Sequence, residues 1–215
     1  MRYLLNHPAE VWQLTRMHLY LALLPLLVGL LLAVPIGIAI RRQRRLRRTT
    51  LAVASIAYTI PSLALLVILP PVLGISVLDP LVVVVALTVY STALLVRAVP
   101  EALDSVPTTV TDAATAMGFG TMRRVLSVDL PLAIPVLITS IRVVAVTNIS
   151  LVPIGSLIGV HGLGRLFTDG YQRDYLDEIV AGIIAVVALA LLFDVLLYAA
   201  GRALTPWTRK ELVGR

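Results

Sequence analysis

The stretch Glu101–Pro131, EALDSVPTTVTDAATAMGFGTMRRVLSVDLP, is too polar to lie in hydrocarbon and too regularly patterned to be a passive linker. Thr108, Thr109 and Thr111 offer N-cap hydroxyls ahead of Asp112-Ala113-Ala114-Thr115-Ala116-Met117, whose small residues favour a short helix. Gly118 and Gly120 punctuate that helix. A second amphipathic turn follows from Met122 to Val128, with Val125, Leu126 and Val128 available to pack and Arg123 and Arg124 left in water. Pro131 then resets the chain. The pattern predicts two short helices meeting at an angle. Such an elbow fills a groove on another protein, its alanines allowing close approach and its glycines fixing the bend.

On either side of this stretch the chain is dominated by apolar runs. Of 215 residues, 59% are apolar and 14% charged, against about 45–50% and about 25% in soluble domains. A water-soluble globule is excluded, and most side chains must face lipid or other apolar helices. A hydrocarbon core of about 30 Å needs roughly 20 apolar helical residues. Five stretches qualify: 19–40, 51–73, 81–96, 132–154 and 179–200. Prolines in the second and fourth predict kinks or interruptions. The first run is longer than a signal-peptide core and lacks a compact basic leader, so it reads as a retained anchor. No linker, low-complexity tract or repeat divides the chain, so residues 1–215 read as one transmembrane domain with the elbow, 101–131, between its third and fourth spans.

Charge sets the orientation. The segment after the first span carries Arg41, Arg42, Arg44, Arg45, Arg47 and Arg48. Placing it in the cytoplasm places Arg97, Arg123, Arg124, Arg202, Arg209, Lys210 and Arg215 there too, thirteen against Arg2, Arg16, Arg165 and Arg173 outside, with Arg142 inside a span. The N-terminus is then outside and the C-terminus inside. The basic residues sit at the ends of apolar runs, which fits topology and attraction to anionic lipid, not nucleic acid. Cysteine is absent, which removes disulfides, thiolate metal sites and cysteine nucleophiles. His7, His18 and His161 are far apart without ligand spacing, so no metal site is expected. No nucleophile and base occur in a recognisable motif, so an enzyme is not expected.

The elbow resembles the signature loop of permease subunits of binding-protein-dependent ABC importers of the type I, MetI-like fold. That signature reads Glu-Ala-Ala, three residues, Gly, nine residues, Ile, any residue, Leu-Pro. Here Asp112-Ala113-Ala114 precedes three residues, Gly118, nine more, then Val128-Asp129-Leu130-Pro131, with Asp for Glu and Val for Ile. The likeness extends from about Leu19 to Arg202 and looks closest to the branch importing glycine betaine, carnitine, choline and related compatible solutes. Its marks are Thr59-Ile60-Pro61-Ser62-Leu63-Ala64-Leu65-Leu66, Leu73-Gly74-Ile75, Leu130-Pro131-Leu132-Ala133-Ile134-Pro135 with Ile141-Arg142, and Ile158-Gly159 with Gly162-Leu163-Gly164. Two departures are Tyr58, where the branch often has Gln, and Val160-His161 within what is usually a small-residue run.

The resemblance implies an all-α permease with five transmembrane helices in the bacterial plasma membrane, paired with an identical or similar second permease. A dimeric cytoplasmic ATPase would bind the ATP, and an extracytoplasmic substrate-binding protein would deliver solute. The chain itself requires no cofactor and lacks a Gly-x-x-x-x-Gly-Lys-Ser/Thr run. Asp112, Ala113, Ala114, Gly118, Leu130 and Pro131 take the ATPase-coupling role. Rival readings are the same architecture moving an amino acid or a betaine-like thiol compound, and an ATP-independent carrier.

Ionisable residues within a membrane are costly and default to function. Arg142 lies eleven residues beyond Pro131, roughly 16 Å along a regular helix. Asp194 is the only acid within a span, and the two are expected to pair. Thr139, Thr147 and Asn148 on the fourth span, with Ser140 and Ser150, and the aromatic faces of Tyr58 and Tyr90, are candidates for lining a pathway. Asp169, Asp174, Asp177 and Glu178, interleaved with Arg165, Arg173, Tyr171 and Tyr175, read as a solvated outer loop or a docking site for the delivery protein.

Overall fold

Hydrocarbon leaves these apolar runs no backbone partner but their own, and the chain answers with helix. The computed structural model describes residues 7–209, and no strand occurs among them. Arg2, Lys210 and Arg215, counted in the charge balance, lie outside the described residues. The long helices are α1 (Pro8–Ile40), α4 (Pro80–Asp104), α7 (Leu130–Leu151) and α9 (Leu176–Leu204). Between them lie α2 (Arg44–Thr59), α3 (Ser62–Leu73), α5 (Thr108–Ala116), α6 (Thr121–Arg124) and α8 (Arg165–Gln172).

Each expected span has a helical counterpart, longer or more broken than its apolar run. Four continuous helical stretches are long and apolar enough to cross a membrane, Thr121–Ile158 counting as one of them. The second span, expected over 51–73, is instead two helices, α2 and α3, bent by 99°. Ile60 precedes Pro61, whose ring excludes the helical conformation from its neighbour, and Ile60 accordingly takes ψ 126°. The third span, expected over 81–96, runs on to Asp104, so Glu101–Asp104 are helix and not loop. Val99, Ala102 and Leu103 are buried there, and burial carries the helix past the end of the simple apolar run. Asp79 caps its start, its carboxylate accepting from the Leu81 amide at 2.8 Å ahead of Pro80.

Pro131 does not reset the chain. A π turn over Val125–Asp129 joins α6 to α7, and its wider ring lets Pro131 enter the helix without a break. The far end of α7 tightens into a 3₁₀ segment, Val152–Ile158. The acidic outer segment is also not a simple loop: Asp169 on α8 accepts from Arg165 at 2.9 Å and Arg173 at 3.1 Å, and Glu178 is buried.

Helix α1 packs most extensively on α4, and α7 lies against α4 and α9. A stripe of Gly29, Ala33 and Gly37 on α1 sets the first approach. A Cβ on Gly29 would stand 2.6 Å from Ser91 Cβ, and one on Gly37 2.5 Å from Val99 Cγ1. Small residues four apart let backbones close up where water supplies no driving force. Overpacking such a contact costs about 1–3 kcal/mol. Gly37→Leu should therefore unfold roughly 2–10 °C lower in detergent, while Gly120→Ala, with nothing within 4 Å of its new Cβ, should not move. Thermal unfolding of the purified protein checks both.

The buried side chains form two apolar clusters. Asn148 lies at their boundary, its amide donating to Ala22 O at 3.0 Å on α1 and to Ser91 Oγ at 2.9 Å on α4. One turn along α1, His18 donates from Nε2 to Ile149 O at 3.0 Å. A carbonyl can only accept, so that ring nitrogen carries the hydrogen. These bonds fix the mutual register of α1, α4 and α7.

Candidate functional site

The elbow is built as two short helices with one defined corner. Helix α5 begins at Thr108 behind Pro107, and no threonine caps it; Thr111 instead bonds back to Thr108 O at 2.9 Å. Its end is a Schellman turn: Phe119 N–H reaches Ala114 O at 3.1 Å and Gly118 N–H reaches Thr115 O at 3.0 Å. That turn requires Gly118 at φ +85°, where L side chains are strained. Arg124 Nη1 donates to Thr115 Oγ1 at 3.0 Å, and Arg123 lies 4.9 Å over the Phe119 ring, so both arginines brace the corner. Arg124 is thus packed and not left in water, while Leu126 is exposed and not packed.

Asp112, Ala113, Ala116 and Met117 are exposed on α5 and its end, Met117 at 71%. Ala114 is buried at 2% and faces the protein's own helices, so the partner-facing surface is narrower than the sequence motif. Leu130 and Pro131 are half-buried at the root of α7, away from the elbow's tip. The elbow thus offers a small surface with two exposed methionines, Met117 and Met122, joined to a helix that runs on to Ile158.

Deeper in the bundle the candidate pathway residues separate into two groups. Asn148 is 1% exposed and clamps three helices, so it lines no open surface of this chain. Tyr90 is also buried: its hydroxyl donates to Ile60 O at 2.6 Å, satisfying a carbonyl released by the α2–α3 break. In both residues inter-helix bonding claims the polar atoms. Tyr58 is 45% exposed and meets Tyr90 edge-on, with ring centroids 5.7 Å apart. Thr139 is exposed and Thr147 half-buried, on a strip of α7 that also includes Val136, Val143 and Ser150. Arg142 and Asp194 meet as a fork, Nε to Oδ1 at 2.9 Å and Nη2 to Oδ2 at 2.7 Å, with the guanidinium 5.1 Å over Tyr198. Among the described residues no group of three His, Asp or Glu is placed to hold a metal.

The family model described as "Binding-protein-dependent transport system inner membrane component" matches residues 19–210. The chain belongs to this family. It is a multi-pass permease subunit of an ABC importer, with ATP hydrolysis on a separate subunit, and not itself an enzyme. The permease is 33% identical to the osmoprotectant import permease protein OsmW of Salmonella typhimurium, over 95% of this chain and 96% of that one. It is 30% identical to the glycine betaine/carnitine/choline transport system permease protein OpuCB of Bacillus subtilis, over 96% and 94% respectively. The choline transport system permease protein OpuBB of the same organism is 31% identical over 95% and 93%. Among solved structures, the inward-facing MetNI methionine ABC transporter superposes with a TM-score of 0.81 and 26% identity, covering 93% of the permease and 99% of that chain.

Several structural residues of the permease escape a reading of the sequence. The Gly29-Ala33-Gly37 stripe is among them, although small residues four apart are the signal that could have found it. Tyr90 bonding Ile60 O, and Asn148 reaching Ala22 O, depend on contacts 30 and 126 residues apart in the chain, which no local pattern announces.

Proposed function

We propose that this permease forms one half of a pathway for a zwitterionic or cationic quaternary amine such as glycine betaine, carnitine or choline. The observation that carries the substrate class is the set of relatives above, each matching over more than nine-tenths of both chains. The exposed groups are chemically compatible. A quaternary ammonium has no N–H to donate and is drawn to aromatic faces, and Tyr58 offers one beside the α2–α3 break. Thr139 and Thr147 donate to their own helix, to Pro135 O at 3.3 Å and Val143 O at 2.8 Å. Their oxygens retain lone pairs for a passing methylammonium group. Thr139, Thr147 and Tyr58 are accordingly the residues assigned to the pathway, and the Arg142–Asp194 pair a structural role.

In the same proposal the N-terminus is outside and the C-terminus inside, because the arginines after α1 share one end of the bundle with the elbow. The exposed face around Asp112, Ala113 and Met117 enters a cleft of the ATPase, and a second permease, identical or homologous, faces this one. At the opposite end a cleft of about 540 Å³, lined by Glu10, Gln13, Arg16, Tyr20, His161 and Arg165, supports approach of a delivery protein.

Proteoliposomes holding the permease with its ATPase and delivery protein should accumulate labelled glycine betaine only when ATP is enclosed, with competition by choline and carnitine. Accumulation of methionine or another amino acid in its place would overturn the substrate class. Uptake of glycine betaine without ATP would favour a carrier.

A further inference from the structure

Asp129 is the one carboxylate of the signature loop that is wholly buried, at 0% exposure. It occupies the last position of the π turn between α6 and α7. Arg41, just beyond the end of α1, donates from Nη1 to Asp129 Oδ2 at 2.7 Å. The same guanidinium donates from Nε to Asp104 Oδ1 at 2.9 Å and from Nη2 to Leu103 O at 2.6 Å, both at the end of α4. Arg47 of α2 holds the other Asp104 oxygen at 2.8 Å. On the elbow side, Arg124 Nε stands 3.5 Å from Asp129 Oδ1, and the same arginine bonds Thr115 of α5. One chain of charge therefore runs from α5 through α6, the π turn, α1 and α4 to α2.

We propose that Asp129 and Arg41 are positioning residues of energy coupling, forming the joint through which displacement of the elbow reaches α1 and which holds α1 to the end of α4. This rests on the permease reading, since it assumes that an ATPase moves the elbow. The continuous helix from Thr121 to Ile158 carries such a movement into α7 without help. No peptide bonds near the elbow do the same for α1, whose following residue, Arg41, lies 88 residues from Asp129 in sequence. The link must be made by side chains, and the Arg41 fork is the contact that touches both the π turn and the end of α4.

Its chemistry suits a joint that transmits force. A guanidinium donating in three directions is planar and pre-organised, so its three partners are held in one relative arrangement. Removing one member of a buried pair leaves the other charge uncompensated, which opposes separation of the helices during the switch. Motion then passes as a shift of packed bodies between discrete states and is not absorbed by local slack. The π turn adds a reason for Asp129 to point inward, because the extra residue rotates the helix face by comparison with a regular α turn.

The test uses the assembled complex in lipid nanodiscs, with ATPase and delivery protein, and compares ATP hydrolysis with and without delivery protein. Asp129→Asn is expected to retain the ATPase in normal ratio and keep basal hydrolysis, while stimulation by the delivery protein and glycine betaine uptake per ATP fall about tenfold. Arg41→Lys, which keeps the charge but loses the fork, should show the same loss in weaker form. Normal stimulation in an assembled Asp129→Asn complex would overturn the proposal. Should Asp129→Asn fail to assemble, Arg41→Lys decides: unchanged stimulation contradicts the joint, and reduced stimulation with intact assembly supports it. A wild-type complex stimulated by its delivery protein yet unable to take up glycine betaine would refute the substrate class and leave this test readable.

Discussion

Gly118→Val is expected to strip the ATPase from the purified permease and to abolish ATP-driven uptake. A Cβ at this position meets nothing within 4 Å, so crowding at the point of attachment does not explain the loss. Its first effect is on the backbone, where a left-handed φ of +85° costs an L residue roughly 1–2 kcal/mol, more for a β-branched one. Release of that strain opens the Schellman turn and rotates α6 away from α5. A loss of that size alone lowers affinity for a partner about tenfold, and a branched side chain on the surface entering the ATPase cleft adds to it. Gly118→Asn separates the two causes, because Asn tolerates the left-handed conformation while adding volume. Retention of the ATPase by Asn but not by Val assigns the effect to backbone geometry; loss in both assigns it to close approach. Co-purification ratios and uptake in proteoliposomes read both.

Asp194→Asn should have the second large effect. Asp194 lies ten residues before the end of α9, roughly 15 Å along the helix, so neither it nor Arg142 reaches the headgroups easily. The fork geometry matches two guanidinium N–H groups to two carboxylate oxygens, and an amide retains only half of that acceptor set. Arg142 would then carry an unbalanced charge within the bilayer, and the yield of assembled permease should fall about tenfold. The paired replacement Arg142→Met with Asp194→Leu removes both charges together and should recover most of that yield. Transport recovered with it identifies a structural pair. Assembly recovered without transport places Arg142 in the pathway instead.

How much of this was legible in the sequence differs by the range of the interaction. Hydrocarbon imposes helix on every long apolar run, so the helical class and the approximate position of each span follow from composition and length. The seven fixed positions from Asp112 to Pro131 likewise located the elbow, and Gly118 is left-handed for the reason glycine suggests there. Boundaries were less legible because burial, not local hydrophobicity, decides them: Val99 and Leu103 hold α4 in helix through Asp104, beyond its apolar run. Capping at Thr108 failed because Pro107 already supplies the entry geometry. Polar residues inside spans proved the hardest to read. Asn148, Thr139 and Thr147 look alike in sequence, yet the first clamps three helices and the others lie along a more open strip. Only the partners across the bundle distinguish them.

The central claim is that the corner formed by α5 and α6 is held by a separate ATPase. The chain has no cysteine, so Met117→Cys creates a single reactive site on the most protruding side chain of that corner. Loaded with a benzophenone maleimide and illuminated in native membranes, it should form one covalent product with the ATPase subunit, at a yield that changes when ATP is bound. A labelled complex that retains its ATPase yet couples Met117→Cys only to lipid or to water would contradict the account.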